Sequence, residues 1–151
     1  MISTSGRKIL MQFVSDVKTL LTNNIISSLQ QHYGIWADGR VIPVSQLTTS
    51  NADIIYRARM LRGRLQYIKN SLPADSTDID KKAVQQLTAE QAFTILNRFC
   101  AVRMCEEREL IMPSIGDGYD SDGFVSYDMV TGQGSVGSRY ERYCWYIQSL
   151  Y

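Results

Sequence analysis

The side chains of this chain that could do chemistry lie in an acidic loop, a basic helix and a short run of paired charges. Asp120-Ser121-Asp122-Gly123 has the alternating carboxylates of the middle of a calcium-binding EF-hand loop, whose ligands converge on one ion. The register fails at both ends, because Gly118 stands at the first ligand position and Met129 where the bidentate glutamate belongs. An acidic, solvated turn is expected there instead. The surrounding GDGYDSDG over 116–123 has neither Walker spacing with Lys-Ser/Thr nor GxGxxG between a strand and a helix. His32, the single histidine, falls at the end of a predicted helix, where a capping or surface role is the ordinary one, so a nucleophile would lack its usual base. No catalytic residue, no cofactor-binding residue and no metal ligand is expected in these residues.

The basic group is Arg57, Arg59, Arg62, Arg64 and Lys69, which could meet DNA phosphates, with Tyr56 and Tyr67 offering stacking faces. On a helical projection Arg57 and Arg64 flank one side of the apolar face, and Arg59, Arg62 and Lys69 the other. They form no single stripe, so snorkelling at the core boundary is the simpler expectation, and all five stand as candidate DNA contacts. The third group, Arg103 and Glu107, is four residues apart within an apolar arc of Ala89, Ala92, Phe93, Leu96, Phe99, Cys100 and Met104. Buried alone, either charge would cost several kcal/mol, so a structural ion pair or an interface with a further domain is expected.

These groups must be positioned by helices. Apolar spacing predicts a helix from about Ser5 to His32, stopped by Gly34. Gly34 to Ser50 reads as a loop with a short extended piece at Arg40 to Val44. A second helix starts at the Ser50/Asn51 cap and runs to Leu72, before Pro73. Ala74 to Gln86 is polar and Asp-rich and reads as a linker or a short exposed turn of helix. A third helix spans Leu87 to Glu109, with a capping box at Thr88 and Gln91. Glycine and aspartate density then leaves room only for a short strand or hairpin at Phe124 to Val130. A final helix opens at a second capping box, Ser138 and Glu141. The fold class expected is mainly α: a bundle of about four main helices with a Gly/Asp-rich loop or small hairpin insertion.

Composition agrees with one ordinary globular domain: 151 residues, 44% hydrophobic and 21% charged. A formal net charge of +1 provides no whole-surface field, so nucleic acid would have to be met by a local patch. The three cysteines, Cys100, Cys105 and Cys144, lack CxxC spacing and read as buried reduced thiols of a cytoplasmic protein. No signal-peptide or membrane-spanning apolar run is present, and no membrane partner is expected. The end at Tyr151 within an aromatic helical pattern reads as a piece of a longer protein.

Ala92-Phe93, Asn97-Arg98, Ala101, Arg103 and Glu106 form AF...NR..A.R..E. This resembles a segment near the N-terminus of large bacterial DNA adenine methyltransferases of the type IIG, BREX and DISARM defence systems. SDGF.SY (Ser121 to Tyr127) and YERYCWYIQSLY are similar to the stretch downstream of that segment in the family, so the resemblance spans about Leu87 to Tyr151. It implies a non-catalytic helical domain that packs on its own catalytic domain and assists DNA binding through the parent protein. S-adenosylmethionine is expected in the parent only, since the Asn-Pro-Pro-Tyr/Phe loop and the glycine-rich loop for the methyl donor are absent from these residues. Asn97, Arg98, Arg103 and Glu106 are the residues expected to carry family-specific structure or interface. The alternative expectation is a free-standing helical interaction domain whose aromatic final helix docks a partner.

Overall fold

The computed structural model describes residues 3–73, 77–131 and 137–150. Among them are five α-helices and no strand: α1 (Thr4–Tyr33), α2 (Ala52–Ser71), α3 (Ile79–Glu107), α4 (Asp122–Thr131) and α5 (Arg139–Ser149). The mainly helical expectation holds. The residues divide into two compact units, 1–94 and 95–151, and α3 supplies residues to both.

In the first unit the helix ends obey local chemistry. Ser3 Oγ accepts from the Gly6 amide at the start of α1, and Asn51 Oδ1 accepts from the Asp53 and Ile54 amides at the start of α2. Gly34 ends α1 in the left-handed region (φ 60°), which lets the Ile35 amide turn back onto the Leu29 carbonyl. Beyond it Ile35 and Val41 make one isolated antiparallel bridge, and a 3-10 turn occupies Val44–Gln46, so the extended piece expected at Arg40 to Val44 is shorter and earlier. The core is aliphatic: Leu29, Ile35, Leu65, Ile68, Val84 and Leu87 are buried together, with Leu61 and Leu72 partly so. Ala58 and Leu65 lie on the α2 face that spacing predicted.

The largest correction concerns α3, which begins at Ile79, eight residues before the predicted start. Ala83, Val84 and Leu87 are buried while Lys81, Lys82, Gln85 and Gln86 are exposed, so the polar stretch is the outer face of a helix. Its apolar positions are too few to announce it. The part of the expected linker at 74–76 lies outside the described residues. Thr88 is no cap: it is buried inside the helix and its hydroxyl donates to the Val84 carbonyl.

In the second unit Phe124 to Val130 is helical, within α4, and not a strand. The final capping box is as expected: Glu141 accepts from the Ser138 amide at 2.7 Å and donates its own amide to Ser138 Oγ. All three cysteines are free, but Cys100 is exposed and the other two half-buried, so the expectation of buried thiols fails. No helix among the described residues is long and apolar enough to cross a membrane.

Candidate functional site

The residues expected to carry the family resemblance begin on α3. The inward line of its second half is Ile95, Val102 and Glu106, and the arc predicted as core lies mostly outside it: Phe93, Phe99, Cys100 and Met104 are exposed. The conflict between that arc and its charges disappears accordingly. Arg103 is 43% exposed and Glu107 70%, and they pair at 2.6 Å as i,i+4 neighbours on the surface.

The buried charge is Glu106, whose side chain is only 3% exposed. Its Oε1 accepts the amides of Ser114 and Ile115, both at 2.6 Å, and its Oε2 accepts from Arg103 Nη1 at 2.5 Å. Both carboxylate oxygens are thus satisfied, which is the condition under which a buried charge is tolerated. Burial pushes the Glu106 pKa up, but the Ile115 and Ser114 amides together with Arg103 outweigh it and hold the group below the ordinary glutamate range. The carboxylate is therefore a structural anchor that holds the 113–116 loop against α3.

Ser114 is the centre of what the loop builds. Its hydroxyl donates to the Met112 carbonyl and meets the Tyr146 hydroxyl at 2.5 Å, while its carbonyl accepts from the Tyr143 hydroxyl at 2.9 Å. Since the serine proton is committed to Met112, Tyr146 is the donor. Gly123 must be glycine for close approach: its amide donates to the Pro113 carbonyl at 2.8 Å, and a Cβ there would collide with the Tyr146 hydroxyl and Ser114 Oγ. Phe124, fully buried, packs edge-on against Tyr143 with centroids 5.2 Å apart, and Tyr146 meets Phe124 and Tyr127 at 5.9 and 5.2 Å. Burial raises the Tyr143 pKa, so its phenol stays protonated and keeps donating.

One further pair ties α4 to α5. Arg142 presents Nε and Nη2 to the two oxygens of Asp128 at 2.6 and 3.3 Å and gives Nη1 to the Gly137 carbonyl. Sequence reasoning missed Asp128, Arg142, Ser114 and Gly123. An aspartate set among Phe124, Val125, Tyr127, Met129 and Val130 was the readable sign of a buried partner.

The acidic loop has its own occupants. Asp120 pairs with Arg139, and Asp122 is exposed in the first turn of α4. Among the described residues no three histidine, cysteine, aspartate or glutamate side chains come together as a metal site. The four aromatic residues of α5 divide evenly, with Tyr146 buried and Tyr143 half-buried, whereas Tyr140 and Trp145 face out.

The candidate DNA contacts of the first unit are mostly engaged within the protein. Arg57 pairs with Asp53, Arg64 with Glu90 and Lys69 with Asp80. Arg62 points inward and donates to the carbonyls of Ala58, Tyr33 and Ile42 at 2.8, 2.9 and 2.7 Å. Burial lowers its pKa. Arg59 lies exposed on α2. Asn97 and Arg98 occupy exposed positions of α3. No protein-family model, no curated protein and no solved structure matches the chain.

Proposed function

We propose that this chain is a non-catalytic helical module of an S-adenosylmethionine-dependent DNA adenine methyltransferase of a restriction or phage-defence system, packing on the catalytic domain and assisting DNA binding. One observation carries the reading. The segments on which the resemblance rests, Ala92 to Glu106, Ser121 to Tyr127 and the aromatic run of α5, supply the side chains that assemble around Ser114: Glu106, Gly123, Phe124, Tyr143 and Tyr146. Of the first segment only Arg103 and Glu106 join this assembly, whereas Asn97, Arg98 and Ala101 are exposed and Ala92 and Phe93 belong to the first unit. The support therefore comes from Glu106 and the two later segments.

Within this reading Arg103 and Glu106 shape the module, and the exposed Asn97 and Arg98 are the surface offered to the catalytic domain. Adenine methylation requires the base to leave the duplex, and an auxiliary domain that steadies the protein on DNA has a physical use there. The test is the genomic reading frame across Tyr151 and the activity of its whole product. A downstream Asn-Pro-Pro-Tyr/Phe loop and adenine methylation in a host lacking its own are expected, and Asn97→Ala with Arg98→Ala should lower the methylation without unfolding the module. A stop codon after Tyr151, or a whole protein that methylates no adenine, overturns it.

The second reading is a free-standing interaction module without activity. It is favoured by apolar side chains left exposed on α1, among them Ile9 and Phe13. The same reading frame separates the two.

A further inference from the structure

The outer face of α2 is made of residues that folding does not ask for there. At about 100° per residue Tyr56, Met60, Gly63 and Tyr67 fall within about 60° of one another, on the side away from the buried Ala58, Leu65 and Ile68. Tyr56, Met60 and Tyr67 are 62%, 59% and 63% exposed. Gly63 stands among them, and a Cβ there would meet nothing within 4 Å. Glycine is the poorest helix former after proline, so its place in the middle of α2 needs a reason, and no neighbouring atom supplies one. A bare backbone lets something from outside come close. Tyr67 is also held ready. Glu90 accepts from Arg64 at 2.8 and 3.2 Å, and the Arg64 guanidinium lies 5.0 Å from the Tyr67 ring centroid, so an ordered ring is presented to solvent.

We propose that this face binds single-stranded DNA, with one base stacked on Tyr56, another on Tyr67, and the sugar-phosphate chain between them passing close over Gly63. The proposal names the surface through which the module assists DNA binding, and it rests on that part of the reading above. Charge selects the partner. The first unit has eleven lysines and arginines against seven aspartates and glutamates, and the second has five against eight, so the overall +1 divides into +4 and −3. On α2 alone five basic side chains face one acidic one. The carboxylates beside the stripe are already taken, Asp53 by Arg57 and Glu90 by Arg64. Arg59, one turn from Gly63, is exposed and has no ion pair among the described residues. A polyanion therefore meets a neutralised or positive border. Geometry selects the strand. Tyr56 and Tyr67 are separated by eleven residues, about 16 Å along the helix, room for about four or five nucleotides at stacked spacing. A duplex keeps its base faces covered by one another, whereas a single strand can turn them onto aromatic rings.

Affinity should come from stacking more than from charge. With one or two phosphates met, log K should fall against log salt with a slope of only about −0.7 to −1.4. The test is fluorescence anisotropy of the whole chain with a labelled oligothymidylate of about twelve nucleotides, alone and as a duplex, across about 50 to 200 mM salt. Micromolar binding of the strand is expected, at least about 10-fold tighter than that of the duplex. Tyr56→Ala with Tyr67→Ala should weaken it at least about 10-fold, and Tyr56→Phe with Tyr67→Phe should retain it, since the ring and not the hydroxyl stacks. Gly63→Gln should raise the thermal melt and yet weaken binding about threefold or more, a combination that a merely structural glycine would not give. No binding of the strand at about 300 µM, equal or tighter binding of the duplex, binding untouched by the tyrosine pair, or occupation of the face by phosphatidylserine vesicles or a second copy in place of the strand overturns it. No arm reads methylation, so a parent protein without methyltransferase activity and a module that leaves the strand unbound are separate failures.

Discussion

The two units solve one problem with opposite charges. Each has a loop that must be held to a helix, and each does so with one charged side chain aimed at loop backbone. In the first, Arg62 of α2 donates to the Tyr33 and Ile42 carbonyls; in the second, Glu106 of α3 accepts the Ser114 and Ile115 amides. They differ in how completely the charge is matched. Glu106 has Arg103 as a counter-ion and no idle oxygen, whereas Arg62 has only neutral carbonyls and a buried Nε without a partner. The surroundings differ in the same sense, aliphatic and non-directional around Arg62, aromatic and hydrogen-bonded around Glu106. A packed aliphatic core supports its loop even when the polar clamp is imperfect; a core of tyrosines linked through one serine depends on the clamp.

That contrast predicts a ranking. Glu106→Ala should have the largest effect, about 3 to 5 kcal/mol in urea denaturation, because it strands two loop amides; a loss below about 1 kcal/mol would break the comparison. Glu106→Gln keeps an oxygen for both amides and should recover much of that loss. Arg62→Ala should cost less, about 1 to 3 kcal/mol, since the half-exposed site admits water to the freed carbonyls; an effect equal to that of Glu106→Ala would erase the asymmetry. Tyr146→Phe, which removes the donor to Ser114, should cost about 1 kcal/mol, and a neutral result would mean the serine hub is incidental.

The smallest effect expected is in acid. A glutamate whose folded pKa lies below its unfolded value of about 4.3 stabilises above that value and loses the contribution as the pH falls through the folded pKa. Glu106 behaves this way, and Arg62, charged throughout that range, does not. Glu90, held down chiefly by Arg64, adds a weaker loss to the first unit because the pair is partly exposed. The chain has two tryptophans, Trp36 in one unit and Trp145 in the other, so Trp36→Phe and Trp145→Phe give one reporter each. As pH falls below about 4, Trp145 emission should change before that of Trp36. Simultaneous change would show that the two clamps are not separately titrated.

Much of this was legible in the residues. The cap at Asn51, the box at Ser138 and Glu141, the stop at Gly34 and the α2 core face are local signals, set by which groups can satisfy a helix end or recur every three to four residues. The pairing of Arg103 with Glu107 was equally local. The start of α3 was not readable, because Ala83, Val84 and Leu87 are outnumbered by lysines and glutamines that face water.

The sequence by itself determined most of the helices, their caps and the Arg103–Glu107 pair, since each depends on neighbours within one turn. Only the tertiary structure decided which charges turn inward. Arg62 and Arg59 sit three residues apart on one basic helix, as Glu106 and Glu107 sit side by side on another, and nothing local distinguishes them. The difference lies in what approaches from far along the chain, carbonyls at Tyr33 and Ile42 for one and amides at Ser114 and Ile115 for the other. A charge can be buried only where backbone groups of the right polarity arrive to meet it.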